Sequence, residues 1–164
     1  TYRFFGRSLF DHQLLMKGVD LSQGRDQARL SDMRVRDYVS DEAPIFSQTT
    51  SQQQVLEHLR ETGWNEAYAV DSETQKFVGF LRAVDLEAGS QTPIASKLQI
   101  SDLVFDETTS VRQAMEKLSS FVGDAIPIIK SSDGSLVGVV TEGAIIQSYL
   151  NLAADLRREE NAGL

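Results

Sequence analysis

Few side chains in this sequence are placed to do chemistry. The two histidines, His12 and His58, lie far apart, and His58 sits in a helical pattern whose apolar positions are Val55, Leu56 and Leu59. Adjacent acids occur at Asp41-Glu42, Asp106-Glu107 and Glu159-Glu160, in segments that read as loops or tail, where carboxylates are solvated. No nucleophile, base and anion-stabilising group converge, and no His/Asp/Glu set has the spacing of metal ligands. There is no cysteine, which excludes a disulfide framework, a thiolate zinc site and a cysteine nucleophile. A binding protein fits this inventory better than an enzyme. Arg82 and Asp85 are the polar pair with an open role. The guanidinium can clamp a phosphate bidentately, or it can pair with Asp85 three residues along a helix. Asp85 can equally cap that helix.

Arg82 belongs to a segment that the chain repeats. Ala67-Tyr68-Ala69-Val70 and Lys76-Phe77-Val78-Gly79-Phe80-Leu81 return 59 residues later as Ile126-Pro127-Ile128-Ile129 and Ser135-Leu136-Val137-Gly138-Val139-Val140. Thr49-Thr50-Ser51, Gln54 and Leu59 recur in the same register as Thr108-Thr109-Ser110, Gln113 and Leu118. Further upstream, Val35-Arg36-Asp37-Tyr38-Val39 aligns with Ile100-Ser101-Asp102-Leu103-Val104 at a spacing of 65, which puts six extra residues in the first copy near residues 40–46. Two copies of one unit place a cleft between pseudo-symmetric halves, and that cleft is the place to seek function.

The elements of each copy follow from apolar period. Val111, Ala114, Met115 and Leu118 form one helical face, as do Val55, Leu56 and Leu59. Each helix opens on Ser-x-x-Gln, in which hydroxyl and amide can satisfy free N–H groups reciprocally, and the first should stop at Gly63. Two short β-branched runs then form a hairpin, turning at residues 71–75 and 131–135. A second helix is expected from Ala83 in copy one and from Glu142 in copy two. The fold class is therefore α/β, with each unit ordered strand, helix, two strands, helix. The expected organisation is a helical lead-in over residues 1–30, repeat one over 31–89, a linker over 90–96, repeat two over 97–150 and a tail over 151–164.

At 164 residues and 41% hydrophobic content, the chain can bury one shared core. No apolar run approaches the roughly 20 residues needed to span a bilayer as a helix. Residues 1–36 hold seven Lys/Arg against four Asp, whereas residues 37–164 hold nine against twenty. The acidic body argues against nucleic-acid binding, which relies on neutralising phosphates. The basic lead-in is either an ordinary solvated helix or a segment beside an anionic membrane face.

Over about residues 31–150 the chain resembles the CBS domain (cystathionine-β-synthase module), which occurs as tandem pairs of β-α-β-β-α units called Bateman modules. The family motif is a glycine, two apolar residues, Ser or Thr, two variable residues and Asp. Copy two reads Gly138-Val139-Val140-Thr141-Glu142-Gly143-Ala144, and copy one reads Gly79-Phe80-Leu81-Arg82-Ala83-Val84-Asp85. The resemblance implies a non-catalytic module that binds an adenine nucleotide (ATP, ADP or AMP) between its halves. Thr141 would contact ribose or phosphate and Asp85 the ribose hydroxyls. Neither motif is whole, since Ala144 replaces the Asp of copy two and Arg82 the Ser/Thr of copy one.

The lead-in resembles a narrower group. Ser8-Leu9-Phe10-Asp11-His12-Gln13-Leu14 and Lys17-Gly18-Val19-Asp20-Leu21 are similar to the segment that joins the last membrane helix of ClC-type chloride channels and chloride/proton antiporters to their CBS pair. This implies a homodimeric cytoplasmic domain whose transmembrane ClC body belongs to the same full-length chain, on the cytoplasmic side of the plasma or inner membrane, and of bacterial type. The alternatives are a ligand-free dimerisation module and a nucleotide-sensing CBS pair of another transporter or of a metabolic enzyme. ATP-binding relatives of that group hold adenine with an aromatic and a small polar residue before the first hairpin strand, positions that match Trp64 and Asn65, with Ser47 on the leading strand as a further contact. Trp64 can stack on a base in an open cleft, or pack in the core or a dimer surface.

Overall fold

The computed structural model describes residues 24–162. The lead-in pattern of residues 8–21, with His12, lies outside them. Two three-stranded sheets form the architecture. In the first, β1 (Ile45–Ser47) runs parallel to β2 (Glu66–Val70), which pairs antiparallel with β3 (Phe77–Arg82). The second repeats this with β4 (Phe105–Asp106), β5 (Ala125–Ile129) and β6 (Leu136–Thr141). Between the leading strand and the hairpin of each unit runs a helix, Gln52–Thr62 in unit one and Val111–Leu118 in unit two. With Gly24–Asp32 before them and Glu142–Ala162 at the end, the helices are numbered α1 to α4 in chain order. None of the described helices is long and apolar enough to cross a membrane.

The helix signals act as expected, with one difference. Ser110 accepts from the Gln113 amide and the Gln113 side chain accepts from Ser110 N–H, closing a full capping box on α3. Ser51 accepts from the Gln54 amide at 3.3 Å without the reciprocal bond. Gly63 ends α2 in the left-handed region, φ 80°, and its N–H returns to the Leu59 carbonyl. The stripe Val55, Leu56 and Leu59 is buried against Ala67, Ala69, Leu81 and Ile94, and Val111, Ala114 and Leu118 are buried against Ile126, Ile128 and Val140.

Three expectations are corrected. First, copy one has no second α-helix, because only a 3-10 turn, Ala83–Asp85, follows β3. In copy two the Thr141 hydroxyl caps α4 by accepting from Ala144 N–H at 3.0 Å. Arg82, at the same place, has no oxygen to offer a free N–H and makes no cap bond. Side chains from α2 take over the backbone groups that a helix would have paired. Gln52, 2% exposed, accepts from Glu87 N–H at 3.1 Å and donates to Thr92 Oγ1 at 2.6 Å, and Gln53 accepts from Gly89 N–H. Replacing Gln52 by leucine should therefore cost about 1–3 kcal/mol despite its added apolar surface, since the bonds of the buried amide to Glu87 N–H and Thr92 Oγ1 are both lost. Chemical denaturation checks this, and an unchanged midpoint would mean water replaces the amide.

Second, copy one carries no six-residue insertion. The 3-10 turn Val35–Tyr38 corresponds to Ile94–Lys97, and Phe46-Ser47 of β1 to Phe105-Asp106 of β4, so the 59-residue register runs unbroken. Backbone pairing sets this equivalence. Ser40 N–H donates to Val139 O, and 59 residues on, Gln99 N–H donates to Phe80 O, both at 2.8 Å. Third, these contacts cross over between the units. The segment before copy one lies on unit two, with Leu30 and Val35 in its core, while the segment before copy two lies on unit one, with Ile94 in its core. Residues expected as a tail continue α4 to Ala162, where Glu159 meets Arg29 of α1 at 3.0 Å.

Candidate functional site

The two units meet around a pseudo-two-fold axis. Phe77 N–H donates to Gly134 O and Leu136 N–H to Gln75 O, which are the same bond exchanged between copies. Lys76 faces Ser135 and Asn65 faces Asp124, each pair 59 apart, so equivalent positions touch on the axis. At one end, Asn65 N–H donates to the Asp124 carboxylate at 3.1 Å, and Asp124 N–H to the Glu66 carboxylate at 3.3 Å. The Tyr68 hydroxyl lies 3.4 Å from Ala125 O.

Beside this contact opens a shallow cleft of about 290 Å³, lined by Thr62, Gly63, Trp64 and Asn65 of unit one and by Asp124 and Thr141 of unit two. Three of the six residues expected to bind thus meet in one place. Trp64 is half-buried, packed on one side against both the unit-one core and the cluster of Tyr68, Ala125 and Val139 at the junction, with its remaining surface in the cleft. Core packing and cleft lining are not exclusive for this residue. Gly63 clears the space beside it, since its left-handed backbone ends α2 without a side chain.

The other three residues lie elsewhere. Arg82 lines a second cleft, also about 290 Å³, with Glu66, Gln99 and the loop of residues 120–123. Asp85 accepts from the Gln99 side-chain amide at 3.1 Å, and no ion pair joins it to Arg82. Ser47 is spent locally, its hydroxyl 2.9 Å from Thr49 Oγ1 and accepting from Thr49 N–H. The adjacent acids Asp106, at the end of β4, and Glu107 also have partners. Asp106 accepts from the Thr108 hydroxyl and N–H, which holds its carboxyl below the usual range, and Glu107 is lowered by the N–H and hydroxyl of Ser131. These half-buried acids fix turns. His58 meets Phe46 edge to face at 5.3 Å. Among the described residues no group of His, Asp and Glu could hold a metal ion.

The geometry and the comparisons agree on the fold. Residues 95–151 match the CBS domain family. No curated protein matches the chain. Among solved structures, CbpB in complex with c-di-AMP is 18% identical, with a TM-score of 0.69 over 82% of this chain and 96% of that one. CBSX2 in complex with AMP, a protein known from Arabidopsis thaliana, is 20% identical, with a TM-score of 0.62 over 74% and 98%. The CBS domain of a bacterial CNNM/CorC-family Mg2+ transporter in complex with ATP is 14% identical, with a TM-score of 0.61 over 77% and 93%. The chain therefore has the fold of a CBS pair.

In this fold the two clefts are counterparts. Arg82 stands 59 residues before Thr141, and Trp64 the same distance before Gly123, so the aromatic residue and the cation occupy opposite clefts. Asp124 lines the Trp64 cleft and was not among the residues singled out from sequence. Its signal was available, because Asp124 is the repeat partner of Asn65.

Proposed function

We propose that this CBS pair is a non-catalytic regulatory module that binds an adenine nucleoside or nucleotide in the cleft between Trp64, Asn65 and Thr141. The observation that carries the reading is the convergence of these residues, from both copies, on one open cleft with a half-exposed indole. An indole face stacks on any purine, and the strand-to-helix turn at Thr141 adds hydrogen-bonding groups. Three solved neighbours of the same fold carry adenine compounds, AMP, ATP and c-di-AMP. The pattern of residues 8–21 supports a ClC-type chloride channel or antiporter as the host, with the module a homodimer on the cytoplasmic side of its membrane. Ligand binding acts by favouring one arrangement of that dimer over another.

Trp64 is the only tryptophan, so its fluorescence reports on the cleft directly. Titration with AMP should shift the emission saturably at micromolar to low millimolar ligand. Trp64→Leu should weaken the calorimetric affinity by roughly 5- to 100-fold, the worth of one base–aromatic stack. Absence of any signal from AMP, ADP or ATP, in a protein that light scattering shows to be a folded dimer, would replace this reading with a ligand-free dimerisation module. One feature favours that second reading. The hydroxyls of Thr141 and Ser47 and the carboxylate of Asp85 are already engaged within the protein.

A further inference from the structure

A further cavity, of about 420 Å³, opens between the end of α1 and the first turn of α3, and it shares no residue with the Trp64 cleft. Two arginines line it, Arg34 and Arg112, together with Gln113 and Glu116. They stand out against a body whose residues 37–164 hold nine basic and twenty acidic side chains. Arg34 is half-buried, donates to the Ser31 carbonyl at 2.7 Å, and pairs with no carboxylate among the described residues. A guanidinium partly withdrawn from water without a counter-charge is costly to keep. Arg112 meets Glu116 at 3.6 Å, but both side chains are exposed, and such a pair holds its arginine weakly. The capping box ties Gln113 Oε1 to Ser110 N–H, which leaves the NH2 end of that amide to donate elsewhere. The Thr108 hydroxyl, also in the lining, is already given to Asp106.

The repeat supplies an internal comparison. The same backbone bridge occurs in both copies, Arg34 to Ser110 and Pro93 to Ser51. In copy one this place carries no arginine, with Pro93 for Arg34 and Gln53 for Arg112. It is also closed by its own bonds, since Gln53 N–H donates to Ser90 O at 2.9 Å and the Gln53 side chain donates to Glu57 at 2.7 Å. In copy two the counterpart bond from Arg112 N–H to Ser31 O is not made, and the Arg34 guanidinium holds that carbonyl instead. One copy thus satisfies itself, whereas the other turns two guanidinium groups to the same space. We infer that this cavity is a second ligand site, which takes a terminal phosphate group through Arg34 and Arg112, on a small soluble compound or on a lipid headgroup. A dianionic phosphate supplies the missing counter-charge, and its oxygens accept from each forked guanidinium two bonds at a time. The Gln113 amide adds neutral donors.

The test is calorimetric titration of the whole chain with pyrophosphate in a phosphate-free buffer, beside flotation with phosphatidylcholine vesicles that carry or lack phosphatidic acid, whose headgroup ends in a phosphate. Saturable binding of pyrophosphate assigns the site to a soluble compound, and binding confined to the phosphatidic acid vesicles assigns it to a lipid. In either case Arg112→Gln, which installs the residue of copy one at an exposed position, should weaken binding at least about tenfold. Arg34→Gln should do the same, and Arg34→Lys, which keeps the charge but not the fork, should weaken it less than Arg34→Gln. Arg112→Gln leaves the Arg34 bond to Ser31 in place, so its loss of binding cannot be ascribed to a disturbed α1. Binding of neither probe, or binding unmoved by both Arg112→Gln and Arg34→Gln, overturns the site and leaves Arg34 as a clamp on the Ser31 carbonyl. Either of those results leaves the adenine reading of the Trp64 cleft standing, because the two share no residue.

Discussion

Replacing Gly79 with alanine is expected to cost about 3 kcal/mol or more, through backbone strain and the loss of paired hydrogen bonds. A Cβ at this position would stand 2.6 Å from the carbonyl oxygen of Gln99, a backbone atom, and Gly79 has φ +151°, which side chains with a Cβ rarely adopt. Gln99 is not free to retreat. Its N–H and carbonyl both pair with Phe80, at 2.8 and 3.0 Å, and this bridge docks the segment before copy two onto unit one. At the equivalent Gly138 a Cβ would stand 3.1 Å from Val39 Cβ and Cγ1, a milder approach than 2.6 Å to a backbone oxygen and one without a positive φ, so Gly138→Ala should cost less than Gly79→Ala. Gly143, in the first turn of α4, has open space around its Cβ position. Gly143→Ala should be neutral or stabilising by up to about 1 kcal/mol. Urea unfolding of the three variants checks the order, with unchanged m-values marking true stability changes. A Gly79→Ala midpoint equal to that of Gly143→Ala would show that the bridge to Gln99 carries no weight.

Leu30→Ala is expected to destabilise the protein by about 2–5 kcal/mol, as deletion of a buried leucine side chain generally does. The expectation is notable because Leu30 ends the lead-in and precedes both copies in sequence. It is nonetheless fully buried, in one cluster with Val35, Phe105, Ile126, Tyr149 and Leu156, all but Val35 belonging to unit two. Hydrogen exchange should show the effect where the contacts are. Amides of β5, β6 and α4 should lose protection before those of β2 and β3. A cost below about 1 kcal/mol would mean that α1 is an appendage rather than part of the core. The same placement gives α1 a mechanical role. α1 itself is joined to unit two, through Leu30 and through the Arg29–Glu159 pair.

Much of the fold is legible in the sequence because its signals are local. Ser51 and Ser110 stand where caps are needed, Gly63 where a left-handed residue ends α2, and the β-branched runs where hairpins form. The missing helix of copy one has a local cause that can also be read beforehand, since Arg82 cannot cap a helix as Thr141 does. The 65-residue spacing misled because five residues, Val35 to Val39, resemble Ile100 to Val104 in type while playing another part. Their true counterparts are set by pairing to Gly138 and Gly79, about 100 and 20 residues from the segments that contact them. Local likeness carries no information about that partner.

The candidate site divides in the same way. The sequence by itself determined that two copies exist at a spacing of 59 and that each is a strand, helix and hairpin, while Trp64, Asn65 and Thr141 stood out only through a family resemblance. It could not decide which residues share a cleft. Only the tertiary structure shows that the axis sets Asn65 against Asp124, sends Arg82 to the opposite cleft and ties Asp85 to Gln99. The physical reason is that secondary structure is fixed by neighbours within a turn or a hairpin. A site between pseudo-symmetric halves is fixed by which backbones cross over, and those contacts join residues far apart in the chain.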